Sequence, residues 1–185
     1  MSGDVHVRFC ESWGVRFPPA THLVVLTESR VEAQAADAFV RGILADIGLE
    51  VAEAKTGVKR VAEGFEFLGF TFQGRFLRPR PRALADFKDR VRERTRRKAP
   101  VSLRRMIEEL NPVIRGWGNY FAVGDVAYLF RALDKWIRMR LRSKARKRFK
   151  SKGGIDNQRW PIRAFDELGL VRLMRLAHAR SFSLV

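Results

Sequence analysis

The sequence predicts an α+β fold, a small antiparallel strand–helix–strand unit followed by a mainly α-helical bundle. Three observations carry this. Residues 1–72 hold 7 Lys and Arg against 10 Asp and Glu, residues 73–152 hold 25 against 7, and residues 153–185 hold 5 against 3, so the net charges are −3, +18 and +2. The hydrophobic spacing changes at the same place, from short β-branched and aromatic runs to apolar residues at three- and four-residue intervals. Gly74 and the Arg78-Pro79-Arg80-Pro81 stretch punctuate the change, which sets a boundary near Phe72 and modules of 1–72 and 73–185.

The first strand is expected at His22-Leu23-Val24-Val25-Leu26-Thr27, an apolar run of strand length after Pro18-Pro19. Ser29 then caps a helix in which Val31, Ala35, Ala38, Phe39, Ile43 and Ile47 recur at helical spacing, and Gly48 closes it. Two short strands follow, around Gly57–Ala62 and Glu66–Phe72, joined by a tight turn at Glu63-Gly64. The Arg-Pro repeat holds an extended connection into a helix starting near Arg82, with Leu84, Phe87 and Val91 as its buried stripe and Pro100 as its stop.

Ser102 caps a short helix that turns Leu103, Met106, Ile107 and Leu110 inward. Asn111-Pro112 supplies an N-cap and an N1 proline for a separate helix, so two helices meet at a corner. Asp125 opens the longest helix, with Val126, Leu129, Phe130, Leu133, Trp136, Ile137 and Leu141 on its apolar face before a basic end over 142–152. Gly153-Gly154 breaks the chain, and the tail from Trp160 through Phe165, Leu168 and Leu170 to Leu176 packs back on the helices.

Composition narrows the function. At 46% apolar residues with 14 Phe and four Trp, 185 residues form a real core. A net charge of +17 calls for a polyanionic partner, and nucleic acid leads. The lone Cys10 cannot close an intramolecular disulfide and has no companions at zinc spacing, which fits a cytoplasmic protein. No apolar run reaches the roughly 20 residues of a membrane span, so no membrane partner is expected. His6, His22 and His178 lack partners at ligand spacing and read as ordinary residues, with no metal site. Asp86 with Asp89 and Glu108 with Glu109 sit among arginines and read as helix-surface charges rather than acid–base pairs.

The cations gather on helices. Arg80 and Arg82 stand at the entrance to the first bundle helix, and Lys88, Arg90, Arg92, Arg94, Arg96, Arg97 and Lys98 along it. Arg138, Arg140, Arg142, Lys144, Arg146, Lys147, Arg148 and Lys150 crowd the longest helix. Arginine outnumbers lysine, which suits bidentate contact with phosphate and stacking on unpaired bases in structured RNA. Trp136 and Phe121 read as core, whereas Trp117 and Tyr120 are open to core packing or base stacking. Arg115 and Asn119 are open to RNA contact or to bonding within the bundle, and Gly116 and Gly118 are expected to permit close helix approach.

The order EFLGFTF, LNPVIRGWGNYF and LDKWIRMRLRSKARKRF resembles the C-terminal part of group II intron reverse transcriptase/maturases, over about His22 to Val171. Lys55-Thr56 also stands where that family shows a Lys-Thr pair. The resemblance implies that Phe67-Leu68-Gly69-Phe70 closes a polymerase palm as a strand near the primer. It implies that Asn111–Phe121 marks the thumb and maturase-specific region. Residues 1–72 are then a truncated palm remnant, with 1–19 unmatched and Val5-His6-Val7-Arg8-Phe9 a candidate substitute strand, and residues 73–185 are the thumb and maturase-specific domain.

The departure from the family lies at its catalytic turn. Where Tyr-Ala-Asp-Asp precedes the apolar strand, this sequence reads Pro19-Ala20-Thr21-His22. Two-metal nucleotidyl transfer needs paired carboxylates to hold Mg²⁺, and Thr21 and His22 supply neither the charge nor the hard oxygen pair. The expectation is an RNA-binding, maturase-like protein that assists folding and splicing of group II intron RNA, with no catalytic residues and no cofactor, Mg²⁺ belonging to the intact parent family. An intact reverse transcriptase/maturase is a further expected partner. The alternatives are a non-functional relic, or an RNA-directed DNA polymerase only if a separate palm complements it.

Overall fold

The computed structural model describes the backbone of residues 6–10, 23–49, 51, 56–149 and 160–181, and the side chains of 23–49, 51, 56–145 and 160–177. The fold is α+β, in two compact units, Met1–Leu77 and Arg78–Val185. Among the described residues no helix is long and apolar enough to cross a membrane.

In the first unit β1 (His6–Cys10) lies between β2 (Leu23–Thr27) and β3 (Gly57–Arg60), antiparallel to both. Its register pairs His6 with Thr27 and Arg60, and Phe9 with Val24 and Gly57. The candidate substitute strand is thus the central one. Helix α1 (Arg30–Asp46) packs on this sheet. Ser29 caps it, its Oγ accepting the Glu32 N–H at 3.2 Å, and Gly48 follows its end at φ 72°.

The apolar stripe of α1 does not face the sheet. Val31 is 75% and Phe39 70% exposed, and Ile43 and Ile47 are exposed with them. Instead Ala33, fully buried, lies inward with half-buried Ala36, Val40 and Leu44, four positions at helical spacing.

The strand expected over Glu66–Phe72 is folded in two. β4 (Phe65–Phe67) and β5 (Phe70–Gln73) form a hairpin that pairs Phe65 with Phe72 and Phe67 with Phe70. Its two-residue turn is Leu68-Gly69, at φ 46° and 80°, the left-handed pair that matches strand twist in a tight hairpin. Phe65 and Phe72 stack at 4.7 Å with planes 2° apart, a cross-strand pair that fixes the register. Glu63-Gly64 therefore does not join β3 to β4 as a hairpin: a 3₁₀ turn over Val61–Glu63 intervenes, and the two strands belong to different sheets. β6 (Phe76–Pro79) completes the order β4-β5-β6.

The second unit starts with α2 (Pro81–Arg94), Pro81 at its first turn and Phe87 and Val91 buried. It ends at Arg94, before Pro100, and the Thr95 hydroxyl turns back onto the Val91 carbonyl at 2.6 Å. Arg96, Arg97 and Lys98 consequently lie in a turn rather than on the helix.

The expected corner at Asn111-Pro112 is absent, since α3 runs unbroken over Leu103–Phe121 with Pro112 inside it. A proline there forfeits one backbone bond and crowds the preceding turn, at about 3 kcal/mol. Burial of Met106, Ile107, Leu110, Ile114 and Phe121 along one continuous stripe offsets that cost. Asn111 is not a cap, because its amide donates to the Gly169 carbonyl at 2.9 Å and its Oδ1 accepts the Val171 N–H at 3.0 Å.

Helix α4 (Ala127–Phe149) buries Phe130, Leu133, Ile137 and Leu141. Two short helices, α5 (Ile162–Glu167) and α6 (Leu173–Ser181), return over it, with Phe165, Leu170 and Leu173 buried. At Gly118 a Cβ would lie 2.6 Å from Leu176 Cδ1 and 2.8 Å from Leu173 Cδ2, so glycine is what lets α6 approach α3.

Candidate nucleic-acid interface

Turning Phe87 and Val91 inward fixes where the cations of α2 point. Arg82 and Arg90 are exposed and Lys88 is half-buried. Arg92 pairs with Asp89 at 2.5 Å, and half-buried Arg94 reaches the Arg90 carbonyl at 3.2 Å and Glu93 at 3.6 Å. Arg80, half-buried, precedes α2 as its N-cap residue. Arg96, Arg97 and Lys98 stand exposed on the following turn, Arg97 and Lys98 at the edge of a concavity of about 500 Å³.

That turn is held from α4. Arg140 donates through Nε to the Thr95 hydroxyl at 2.7 Å, and Lys144, buried, donates to the Ala99 carbonyl. The guanidinium groups of Arg92 and Arg140 lie over the Trp136 ring at 5.8 and 5.5 Å. Trp136 is half-buried beneath them rather than a full core residue. Burial lowers the Arg140 pKa, with a further lowering from Arg92, yet a guanidinium stays charged.

Lys144 and Arg142 serve the fold. Arg142 donates to the Trp160 carbonyl at 3.0 Å and sits over the Phe165 ring at 5.5 Å, which fastens the returning segment to α4. Both were expected on the RNA-binding face, and both are drawn inward because unpaired carbonyls of the loops need donors. The side chains of Arg146, Lys147, Arg148 and Lys150 lie outside the described residues, as do Thr21, His22 and Lys55 and the side chains of His6, Cys10 and His178.

Between α2 and α3 runs a groove of about 400 Å³, lined by Phe87, Arg90, Gly116, Trp117 and Tyr120 among others. Trp117 stacks on Phe87 at 4.4 Å and tilts against Phe121 at 4.7 Å, and its Nε1 is buried without a hydrogen-bond partner. It is part of the aromatic cluster and forms the groove wall. Tyr120, half exposed at the rim, meets Phe121 edge-on at 4.8 Å. Arg115 and Asn119, one turn apart, are exposed. Gly116 does not mediate helix contact, for nothing lies within 4 Å of where its Cβ would be; it opens the groove instead.

Of the arginines around Asp134, the charge pattern of the sequence singles out Arg138 alone, and Arg131, Arg172 and Arg175 escape it. Arg131 and Arg138 on α4, and Arg172 and Arg175 at the start of α6, border one concavity with Asp134. Burial raises the Asp134 pKa, against the lowering effect of the Leu173 and Met174 N–H groups and of Arg138 and Arg172. Burial lowers that of Arg138. The signal in the sequence is slight: seven-residue spacing of Arg131 and Arg138 shows one helix face, but nothing reports that α6 returns to it. Among the described residues no group of three or more His, Cys, Asp or Glu is placed to hold a metal ion.

Residues 84–164, from α2 into α5, match the family profile described as group II intron, maturase-specific domain. No curated protein matches the chain.

Proposed function

We propose that this chain, whose residues 84–164 match the profile of the group II intron maturase-specific domain, is a C-terminal maturase region that binds intron RNA and assists its folding and splicing without polymerase chemistry. One observation carries the reading: the matched segment overlaps most of the +18 stretch over residues 73–152, and its cations ride on a bundle with a closed apolar core. Such a surface grips phosphates through charge, while the rigid helices fix where each cation stands. The ribozyme supplies the cutting and joining, and the protein stabilises the RNA shape in which they occur. The absence of polymerase chemistry rests on Pro19-Ala20-Thr21-His22 in the place of the paired carboxylates.

Filter binding at 150 mM salt tests the reading. The purified chain is expected to retain group II intron RNA at least about tenfold more tightly than random RNA of equal length, a difference of about 1.4 kcal/mol. Equal retention of the two removes the maturase reading and leaves a non-specific polyanion binder.

A further inference from the structure

Arg131, Asp134 and Arg138 recur at three- and four-residue spacing on α4 and share a face, while Arg172 precedes α6 and Arg175 lies in its first turn. With Met174 they line a concavity of about 450 Å³, within the size range that holds a small ligand. Asp134 is its buried member, 5% exposed, and its oxygens accept the N–H groups of Leu173 at 2.9 Å and Met174 at 3.2 Å. Asp166 accepts Arg172 Nη1 at 3.0 Å and lies 3.7 Å from Arg175 Nη2.

The two carboxylates are therefore engaged within the chain, against four guanidinium groups that converge on one space. Two positive charges remain in excess. The Nε of Arg172 is buried with no hydrogen-bond partner, a donor without an acceptor. Arg138 is held below the usual range by burial, and the like charges of Arg172 and Arg142 lower it further against Asp134 and Asp166. Among the described residues no lysine borders the concavity, and a set of planar forks is suited to the oxygens of a tetrahedral anion.

We propose that this concavity binds a phosphate group through Arg131, Arg138, Arg172 and Arg175, and, resting on the maturase reading, that the phosphate is a phosphodiester of the RNA backbone. Three of the four arginines, Arg131, Arg172 and Arg175, stand outside the helix runs that the charge pattern picks out, and two lie beyond the matched segment.

The test compares Arg131→Gln/Arg175→Gln, two exposed positions that leave the core intact, with Arg104→Gln/Arg163→Gln, which removes equal charge from exposed sites elsewhere. Equal thermal melting of both pairs and the parent chain checks folding. Intron RNA affinity is expected to fall roughly 10–100-fold in the first pair, with a salt slope shallower by about 1–2, and by under about threefold in the second. Inorganic phosphate, followed by titration calorimetry, is expected to bind the parent chain and the second pair but not the first. If the first pair loses phosphate yet binds RNA like the second, the ligand is a free phosphate and the RNA assignment is overturned. If the pairs behave alike with both probes, the site is overturned, whereas the maturase reading is judged separately by the parent chain's preference for intron RNA.

Discussion

Raising salt from 50 to 200 mM is expected to weaken RNA binding by roughly 10³–10⁵-fold, the loss that accompanies six to ten phosphate contacts. The number of contacts is set by which cations the fold leaves outside. Arg82, Arg90, Arg96, Arg97, Lys98, Arg115 and Arg131 are exposed, enough to reach that range. Lys144 and Arg142 contribute little, because each is committed to a carbonyl of its own chain. Filter binding at several salt concentrations gives the slope directly. A change under about tenfold would mean that these cations form a solvated face.

Phe130→Ala is expected to cost about 3–5 kcal/mol, the usual loss for truncating a fully buried aromatic residue. Phe130 is inaccessible, and its ring lies 5.8 Å from that of Trp117, so the variant opens a void where α3 and α4 meet. Against a typical domain stability of about 5–15 kcal/mol this is a large fraction. Urea unfolding should show a lower midpoint at unchanged slope. Tyr128→Ala, on the same helix but 86% exposed, is expected to stay within about 0.5 kcal/mol. A small effect at Phe130 would contradict the packing of the bundle.

Features governed by neighbouring residues are legible in the amino-acid order alone. Ser29 and Ser102 cap their helices through their own hydroxyls, and Phe87 and Val91 point inward. What escapes depends on partners distant in the chain. Asn111-Pro112 has the local form of a helix start, yet Asn111 is engaged by Gly169 and Val171, and the buried stripe continues across it. Leu68-Gly69 is hidden inside an aromatic run, where Leu68 gives no turn signal. The stripe of α1 that includes Val31 and Phe39 stays exposed, and the face of Ala33, Ala36, Val40 and Leu44 lies inward, a choice made by the sheet it packs on.

The candidate interface divides in the same way. Charge and spacing show that α2 is a cationic helix, but not that Lys144 is buried or that Trp136 lies under two guanidinium groups. The Asp134 cluster joins side chains some forty residues apart in sequence, and only the return of α6 brings them together.

The most direct measurement is splicing itself. A group II intron RNA is incubated at a Mg²⁺ concentration where it splices poorly alone, with and without the purified chain at amounts that saturate binding. The expected result is faster and more complete splicing, levelling off once every RNA carries protein. Unchanged splicing of fully bound RNA would contradict a maturase role.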